Sequence, residues 1–265
     1  MNIAITGAPG RMGRTLVQMI HAADDLRLAG ATDRPGSELL GLDIGVLCGL
    51  GETGVPLVDD LNKLPDDIDA VIDFTTPAST MRHLTVCAQR GFALVIGTTG
   101  LDETQKNAIG QAADRIPVVF APNMSVGVNV LTNLVEQAAR ILGDAYDVEI
   151  VEMHHRHKVD APSGTALALG EAAAKGLQRT LQDCAIYGRE GAEGPRESST
   201  IGFATLRGGD VVGDHTVIYA GEGERVEITH KASSRSTFAQ GALRAVRWLH
   251  NRPAGQYSMQ DVLGL

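Results

Sequence analysis

Chemistry is most concentrated in Glu152-Met-His-His-Arg-His-Lys-Val-Asp-Ala-Pro-Ser-Gly-Thr165, where three histidines, an arginine and a lysine fill five consecutive positions of a chain with a net charge of -9. Histidine exchanges protons near neutral pH, and lysine is a fixed cation unless buried. Zinc is one reading of His154, His155 and His157. Adjacent strand residues point to opposite faces, however, and neither a nearby Cys nor a helical His pair completes a set, so no metal is expected. A solvated charge run is a second reading. An anion site equipped with acid–base groups fits the residue types best. In an extended strand His154 and Lys158 would stand roughly 13 Å apart, too far for one small substrate. The chain is therefore expected to leave the strand near His155 and curl back, which Pro162 and Gly164 favour. Ser163-Gly164-Thr165 then opens an Ala-rich helix over 166–174. Its free amides form a carboxylate cradle, and ordinary capping by Ser163 is compatible with that role.

A second constellation lies at the start of the chain. Gly7-Ala-Pro-Gly-Arg-Met-Gly13 places glycines at 7, 10 and 13 directly after an apolar run, Asn2 to Thr6, and directly before a helical pattern. Glycine lets backbone approach a pyrophosphate, and the following helix offers amides and its positive end. The loop residues Gly7, Ala8, Pro9, Gly10, Arg11 and Met12 are thus candidate dinucleotide ligands. Asp33 follows Gly13 by twenty residues, at the end of the next strand. A carboxylate there accepts from ribose hydroxyls, whereas the adjacent Arg34 pairs with a 2′-phosphate, so NADH and NADPH both remain open. Two further strand ends suit a nicotinamide: Gly97-Thr98-Thr99 and Ala121-Pro122-Asn123-Met124.

These positions must be carried by a regular frame. Strands are predicted at 2–6, 26–32, 70–74, 93–96 and 118–120, with helices at 11–23, 79–90 and 102–114 between them. Such alternation predicts an α/β fold, a Rossmann-like doubly wound parallel sheet. The glycine-rich 36–54 region reads as loop. Beyond Pro122 the texture changes: a helix at 129–142, a strand at 147–153, a helix at 165–177 and a polar stretch at 188–199. Strands then crowd at 200–206, 215–220 and 226–230 without helices between them, which predicts a second α+β domain with a mixed sheet. The amphipathic helix at 237–250 resumes the style of the first half. The expected division is 1–125 with 236–265 as the dinucleotide-binding domain, and 126–235 as the substrate-binding and oligomerisation domain.

Composition agrees with this frame. At 265 residues two domains are the natural expectation, and 43% apolar with only 4% aromatic residues implies a core of Val, Ile, Leu and Ala. Net negative charge argues against nucleic acid as a partner. Cys48, Cys87 and Cys184 are odd in number and widely spaced, as expected of buried free thiols. No apolar run approaches the roughly 20 residues needed to span a bilayer. Because 2–6 already reads as a strand, no signal peptide is expected and the chain is read as cytoplasmic.

The sequence resembles the 4-hydroxy-tetrahydrodipicolinate (dihydrodipicolinate) reductase family. The resemblance rests on His-His-Arg-His-Lys-Val-Asp-Ala-Pro-Ser-Gly-Thr at 154–165 together with Gly-Ala-Pro-Gly-Arg-Met-Gly at 7–13. Val-Ile-Asp-Phe-Thr at 71–75, Gly-Thr-Thr-Gly at 97–100 and Asn-Met-Ser-Val-Gly-Val-Asn at 123–129 extend it, as do His-Lys-Ala-Ser-Ser-Arg at 230–235 and Phe-Ala-Gln-Gly-Ala at 238–242. Pro9 and Pro122 vary from residues frequent in relatives, which matters little where backbone makes the contacts. The resemblance implies NADH- or NADPH-dependent reduction of a small cyclic imine dicarboxylate at ring carbon 4, with the 4-hydroxyl lost as water. It implies His154 as the acid–base residue, Lys158 as proton donor, and His155, Gly164 and Thr165 as substrate carboxylate ligands. A homotetramer and closure of the domains over the substrate are implied too. The rival readings are another amino or imino acid dehydrogenase, which would share only the glycine loop, and a silent dinucleotide sensor, which would not need the 154–165 run.

Overall fold

Strands and helices alternate from the first residues, and the structure, a computed structural model describing residues 1–192 and 194–265, follows that pattern. In chain order the elements are β1 (Asn2–Thr6), α1 (Arg11–His21), β2 (Arg27–Thr32), α2 (Ile44–Leu47), β3 (Leu57–Val58), β4 (Ala70–Asp73), α3 (Pro77–Arg90), β5 (Ala93–Ile96), α4 (Glu103–Ala113), β6 (Pro117–Phe120) and α5 (Val126–Leu142). There follow β7 (Asp147–His154), α6 (Gly164–Gly176), α7 (Leu181–Cys184), β8 (Ala185–Ile186), β9 (Ile201–Arg207), β10 (Gly213–Ala220), β11 (Arg225–Ala232), α8 (Ser236–Leu249), β12 (Gly255–Tyr257) and α9 (Met259–Leu263). Position 193, inside the polar 188–199 stretch, lies outside the described residues.

Two compact units result, Met1–Ser125 with Ser236–Gly264, and Val126–Arg235. The first holds a seven-stranded sheet in the order β12-β6-β5-β4-β1-β2-β3, parallel at every pairing. The strands β4 and β5 are buried at every residue, as strands covered on both faces must be. The Rossmann-like reading of this half therefore stands. Helix α8 rejoins the unit so tightly that a Cβ at Gly241 would meet the Met124 carbonyl oxygen at 1.7 Å. The edge strand β12, three residues long, carries too little periodicity to be read from sequence.

The second unit holds a five-stranded sheet in the order β11-β10-β7-β9-β8. Its central strand β7 runs antiparallel to β10 and parallel to β9, so the sheet is mixed, as expected. Helices α5 and α6 cover one face, and Val135, Ile150, Leu169, Val217 and Tyr219 form a core between them. The two helices approach closely where Gly176 faces the Glu136 carbonyl.

The 36–54 region is more ordered than a plain loop. Asp43 caps the four-residue α2, and its carboxylate also accepts from the amides of Thr53, Gly54 and Val55 and from the Thr53 hydroxyl. Burial alone would raise this carboxyl, but the donors, Thr53 foremost, outweigh it and bring the pKa to about 2. The loop so tied braces α1, because Arg14 donates to the Leu47 carbonyl at 2.6 Å and Gln18 to the Cys48 carbonyl at 3.1 Å. Asp43→Ala should lower the unfolding free energy by at least about 2 kcal/mol, because several partly buried amides lose their acceptor. Denaturant unfolding monitored against wild type measures this, and an unchanged midpoint would contradict it.

Candidate active site

In the first unit a parallel sheet brings all its strand ends to one edge. The register aligns Thr6 with Asp73, Asp73 with Ile96, and Ile96 with Phe120. Gly7, Phe74, Gly97 and Ala121 therefore leave the sheet side by side, the edge at which open α/β sheets bind ligands. Gly7 turns with φ +59, and a Cβ at Gly13 would meet the Ala8 and Gly7 carbonyl oxygens at 2.5 and 2.6 Å. The loop thus folds flat against the start of α1. That helix begins at Gly10 without a side-chain cap, unlike α3, α4 and α6, which are capped by Thr76, Asp102 and Ser163.

A cavity of about 690 Å³ opens here, with Gly7, Gly10, Asp33, Arg34, Arg82 and His83 among its walls. Bare backbone, an uncapped helix start and an adjacent acid and base at 33–34 fit a dinucleotide. Ala8 is buried and Arg11 exposed at the mouth of α1. Gly97–Thr99 and Ala121–Met124 sit at the ends of β5 and β6, apart from that cavity's walls. Thr98 is buried, its hydroxyl engaged with Thr75, Thr80 and Asp73, whereas Thr99 is exposed. Two residues here, Asp73 and His83, had no role assigned from sequence. Asp73, wholly buried, accepts from Thr75 and pairs at 2.8 Å with Nδ1 of His83, which reaches it from α3.

In the second unit the basic motif follows the end of β7. The strand stops at His154, and the Lys158 amide donates back to the His155 carbonyl at 3.1 Å, so the chain does turn at His155. The 208–211 loop holds this turn: Gly208 donates to the His154 carbonyl, and Val211 and Gly209 accept from His155 and Arg156. Lys158 Nζ lies 2.8 Å from both Asp160 carboxylate oxygens, and this pairing draws the Asp160 carboxyl below its ordinary value. His155 is shifted below the ordinary histidine value by desolvation and then by Arg235 and the neighbouring cations.

His154 and Glu152, two apart on β7, share the buried face. His154 Nδ1 meets Glu152 Oε2 at 2.6 Å. The sheet register sets Arg207 of β9 opposite His154 and His215 of β10 opposite Glu152. Arg207 forks onto both Glu152 oxygens at 2.8 and 2.9 Å. Burial would raise the Glu152 carboxyl, but Arg207 and His154 outweigh it and hold it below the usual carboxylate range. The Ser163 amide donates to the same carboxylate at 3.1 Å, while Ser163 Oγ caps α6 through Ala166 and lies 2.9 Å from His215 Nε2. Gly164 and Thr165 begin α6 just beyond, and a Cβ at Gly164 would meet nothing within 4 Å. Capping and an open helix start thus coexist. Glu152, Arg207 and His215 had no assigned role in the sequence reading. Parity along β7 pairs Glu152 with His154, but no local signal brings in positions 207 and 215. Among the described residues no cluster of three His, Cys, Asp or Glu side chains could hold a metal, and all three cysteines are buried and free.

A glycine-loop Rossmann unit joined to a mixed-sheet unit with a buried acid–base cluster is the build of a two-domain nicotinamide-dependent oxidoreductase. Comparison with known proteins narrows the class. Models of the dihydrodipicolinate reductase N-terminus and C-terminus match residues 1–124 and 127–263. Proteins named 4-hydroxy-tetrahydrodipicolinate reductase are 56% identical in Hahella chejuensis and 58% in Pseudomonas fluorescens, each match covering 99% of this chain and 98% of the relative. The chain belongs to the dihydrodipicolinate reductase family. Among solved structures, a dipicolinate-bound dihydrodipicolinate reductase from Paenisporosarcina sp. TG-14 shares the fold with a TM-score of 0.76 at 23% identity, covering 98% of both chains. An amine dehydrogenase from Mycobacterium smegmatis shares it at 0.61 and 13%, covering 98% of this chain and 95% of its own.

The cluster has a pH consequence. Burial, followed by the charge of His154, pushes His215 down to about 4. The folded protein therefore disfavours the imidazolium that the unfolded chain forms below its ordinary value of 6.5. Stability from this residue is fully present above pH 6.5 and is lost as pH falls toward 4, by about 3 kcal/mol over that interval. Thermal melts of wild type and His215→Gln across a pH series check this: the wild-type advantage should shrink on acidification. A constant gap would contradict it.

Proposed function

We propose that the chain catalyses the NADH- or NADPH-dependent reduction of 4-hydroxy-tetrahydrodipicolinate to tetrahydrodipicolinate with loss of water, in the diaminopimelate route to lysine. One observation carries the reading beyond family membership: a buried histidine–carboxylate pair stands beside an open helix start within the same unit. The first groups exchange protons and the second receives a carboxylate, the two needs of a cyclic imine dicarboxylate.

Residues 7–12, with Asp33 or Arg34 at the adenosine ribose and 97–99 and 121–124 toward the nicotinamide, would hold the cofactor. When bound, the cofactor supplies the hydride. Reduction leaves negative charge on the conjugated imine, and Lys158 is the donor of the proton that neutralises it. His154 exchanges protons through Nε2, because Glu152 occupies Nδ1. His155, Gly164 and Thr165 bind a substrate carboxylate. Cations near the developing charge lower the barrier to reduction. In this reading the unit containing 126–235 binds substrate and joins four copies into a homotetramer, and the protein works in the cytoplasm. No described helix is long and apolar enough to cross a membrane.

Substrate formed from pyruvate and aspartate semialdehyde, with oxidation of NADH and NADPH followed at the nicotinamide absorbance, tests the reaction. Decay with at least one cofactor is expected, and no decay with either would sink the assignment. Lys158→Ala should lower kcat by roughly 10²- to 10⁴-fold, the usual contribution of a positioned proton donor, with the cofactor KM unchanged. Wild-type turnover in that variant would remove Lys158 from the mechanism.

A further inference from the structure

We infer that Glu152 is a positioning residue, aimed by Arg207, which fixes the tautomer of His154 and ties that imidazole to the substrate-binding start of α6. The inference rests on the reductase reading above and deepens it. Four observations converge. Glu152 is 1% exposed, and its carboxyl is held in the ionised range, so it can only accept hydrogen bonds. His154 Nδ1 stands 2.6 Å from Oε2, so Nδ1 carries the proton and Nε2 is the exchangeable atom. Gly213 leaves room beside it, since a Cβ there would come within 3.0 Å of His154 Nε2. Finally, Oε1 accepts the Ser163 amide, the residue immediately before Gly164 and Thr165.

One carboxylate thus serves two ends of the site. Through Oε2 it orients the acid–base ring, and through Oε1 it holds the helix start in register with that ring. Arg207 makes the arrangement rigid. Its fork contacts both oxygens and it donates again to the Asp160 carbonyl at 2.7 Å, in the turn that also carries Lys158. A carboxylate free to rotate would release either His154 or Ser163; a bidentate guanidinium prevents that rotation.

The roles separate in a double-mutant cycle using wild type, Glu152→Gln, His154→Ala and the double variant. Glu152→Gln should lower kcat at least about tenfold and raise the substrate KM several-fold while the cofactor KM is unchanged. With His154 already removed, Glu152→Gln should cost no further kcat, yet the rise in substrate KM should persist, because the Ser163 arm does not pass through His154. Imidazole ¹⁵N spectra of the resting enzyme should show His154 as the Nδ1–H tautomer in wild type and a changed signature in Glu152→Gln. Arg207→Lys keeps a cation beside the buried carboxylate and so spares the fold. It should lower kcat in the same direction, again only while His154 is present. Equal fractional kcat losses with and without His154, or an unaltered His154 signature, overturn the positioning role. If Glu152→Gln fails to fold, the same cycle with Arg207→Lys decides between these outcomes. Absence of turnover in wild type would instead overturn the reductase reading, and the ¹⁵N comparison would still test the Glu152–His154 arrangement.

Discussion

A carboxylate 1% exposed in the middle of a sheet must be matched by cations and donors, or it would cost several kcal/mol. In the second unit that requirement governs much of the rest. Glu152 is matched by Arg207 from one neighbouring strand, by His154 from its own and by the Ser163 amide from the helix above. Arg207 arrives only if β7 pairs with β9 in the observed register. A slip of one residue would turn Glu152 and His154 to the opposite face and leave Arg207 without its acid. The ion pair is therefore weak as a source of net stability but strong as a specification of register. In the proposed reading the same register also sets the geometry of the acid–base group.

The first unit solves a related problem differently. Asp73 is as deeply buried as Glu152 and also meets a histidine through Nδ1, yet its partners are hydroxyls and an amide rather than an arginine. Thr75 and Thr98 come from the ends of β4 and β5, so this carboxylate stitches together two adjacent strand ends at the ligand edge. His83 in turn carries the network to the wall of the cavity. In both units a buried acid converts the fixed spacing of strands into a fixed side-chain position, and neither relies on a flexible loop for precision.

Much of this was legible in the residues, for reasons that differ by element. Strands β1, β4 and β5 announce themselves because both faces are buried, which leaves uninterrupted apolar runs between glycine and proline signals. The glycine loop is legible because its backbone demands glycine: no other residue fits beside the Ala8 carbonyl. The basic motif is conspicuous by charge, and the need to curl at His155 follows from strand rise once one small substrate is to meet both His154 and Lys158. The order inside 36–54 was not legible, since it depends on one aspartate gathering amides from ten or more residues away. Arg207 and His215 were hidden for a similar reason. They reach the site through sheet pairing, and pairing partners leave no mark in local composition.

The starts of α1 and α6 use glycine for different physical ends. At α1 the protein itself forbids a side chain, because Gly13 packs against the carbonyls of Ala8 and Gly7. The resulting flatness is a consequence of how the loop folds, and a pyrophosphate can use it. At α6 the protein imposes no such limit: a methyl at Gly164 would meet nothing within 4 Å, and Ser163 has already satisfied the cap. What glycine adds there is access to the amides of the first turn. A cradle that is sterically free and already capped does not need a ligand in order to fold. In the proposed reading a carboxylate would bind and leave there without disturbing the Ser163–Glu152–His154 chain behind it, so the acid–base group beside the cradle would keep its orientation between turnovers.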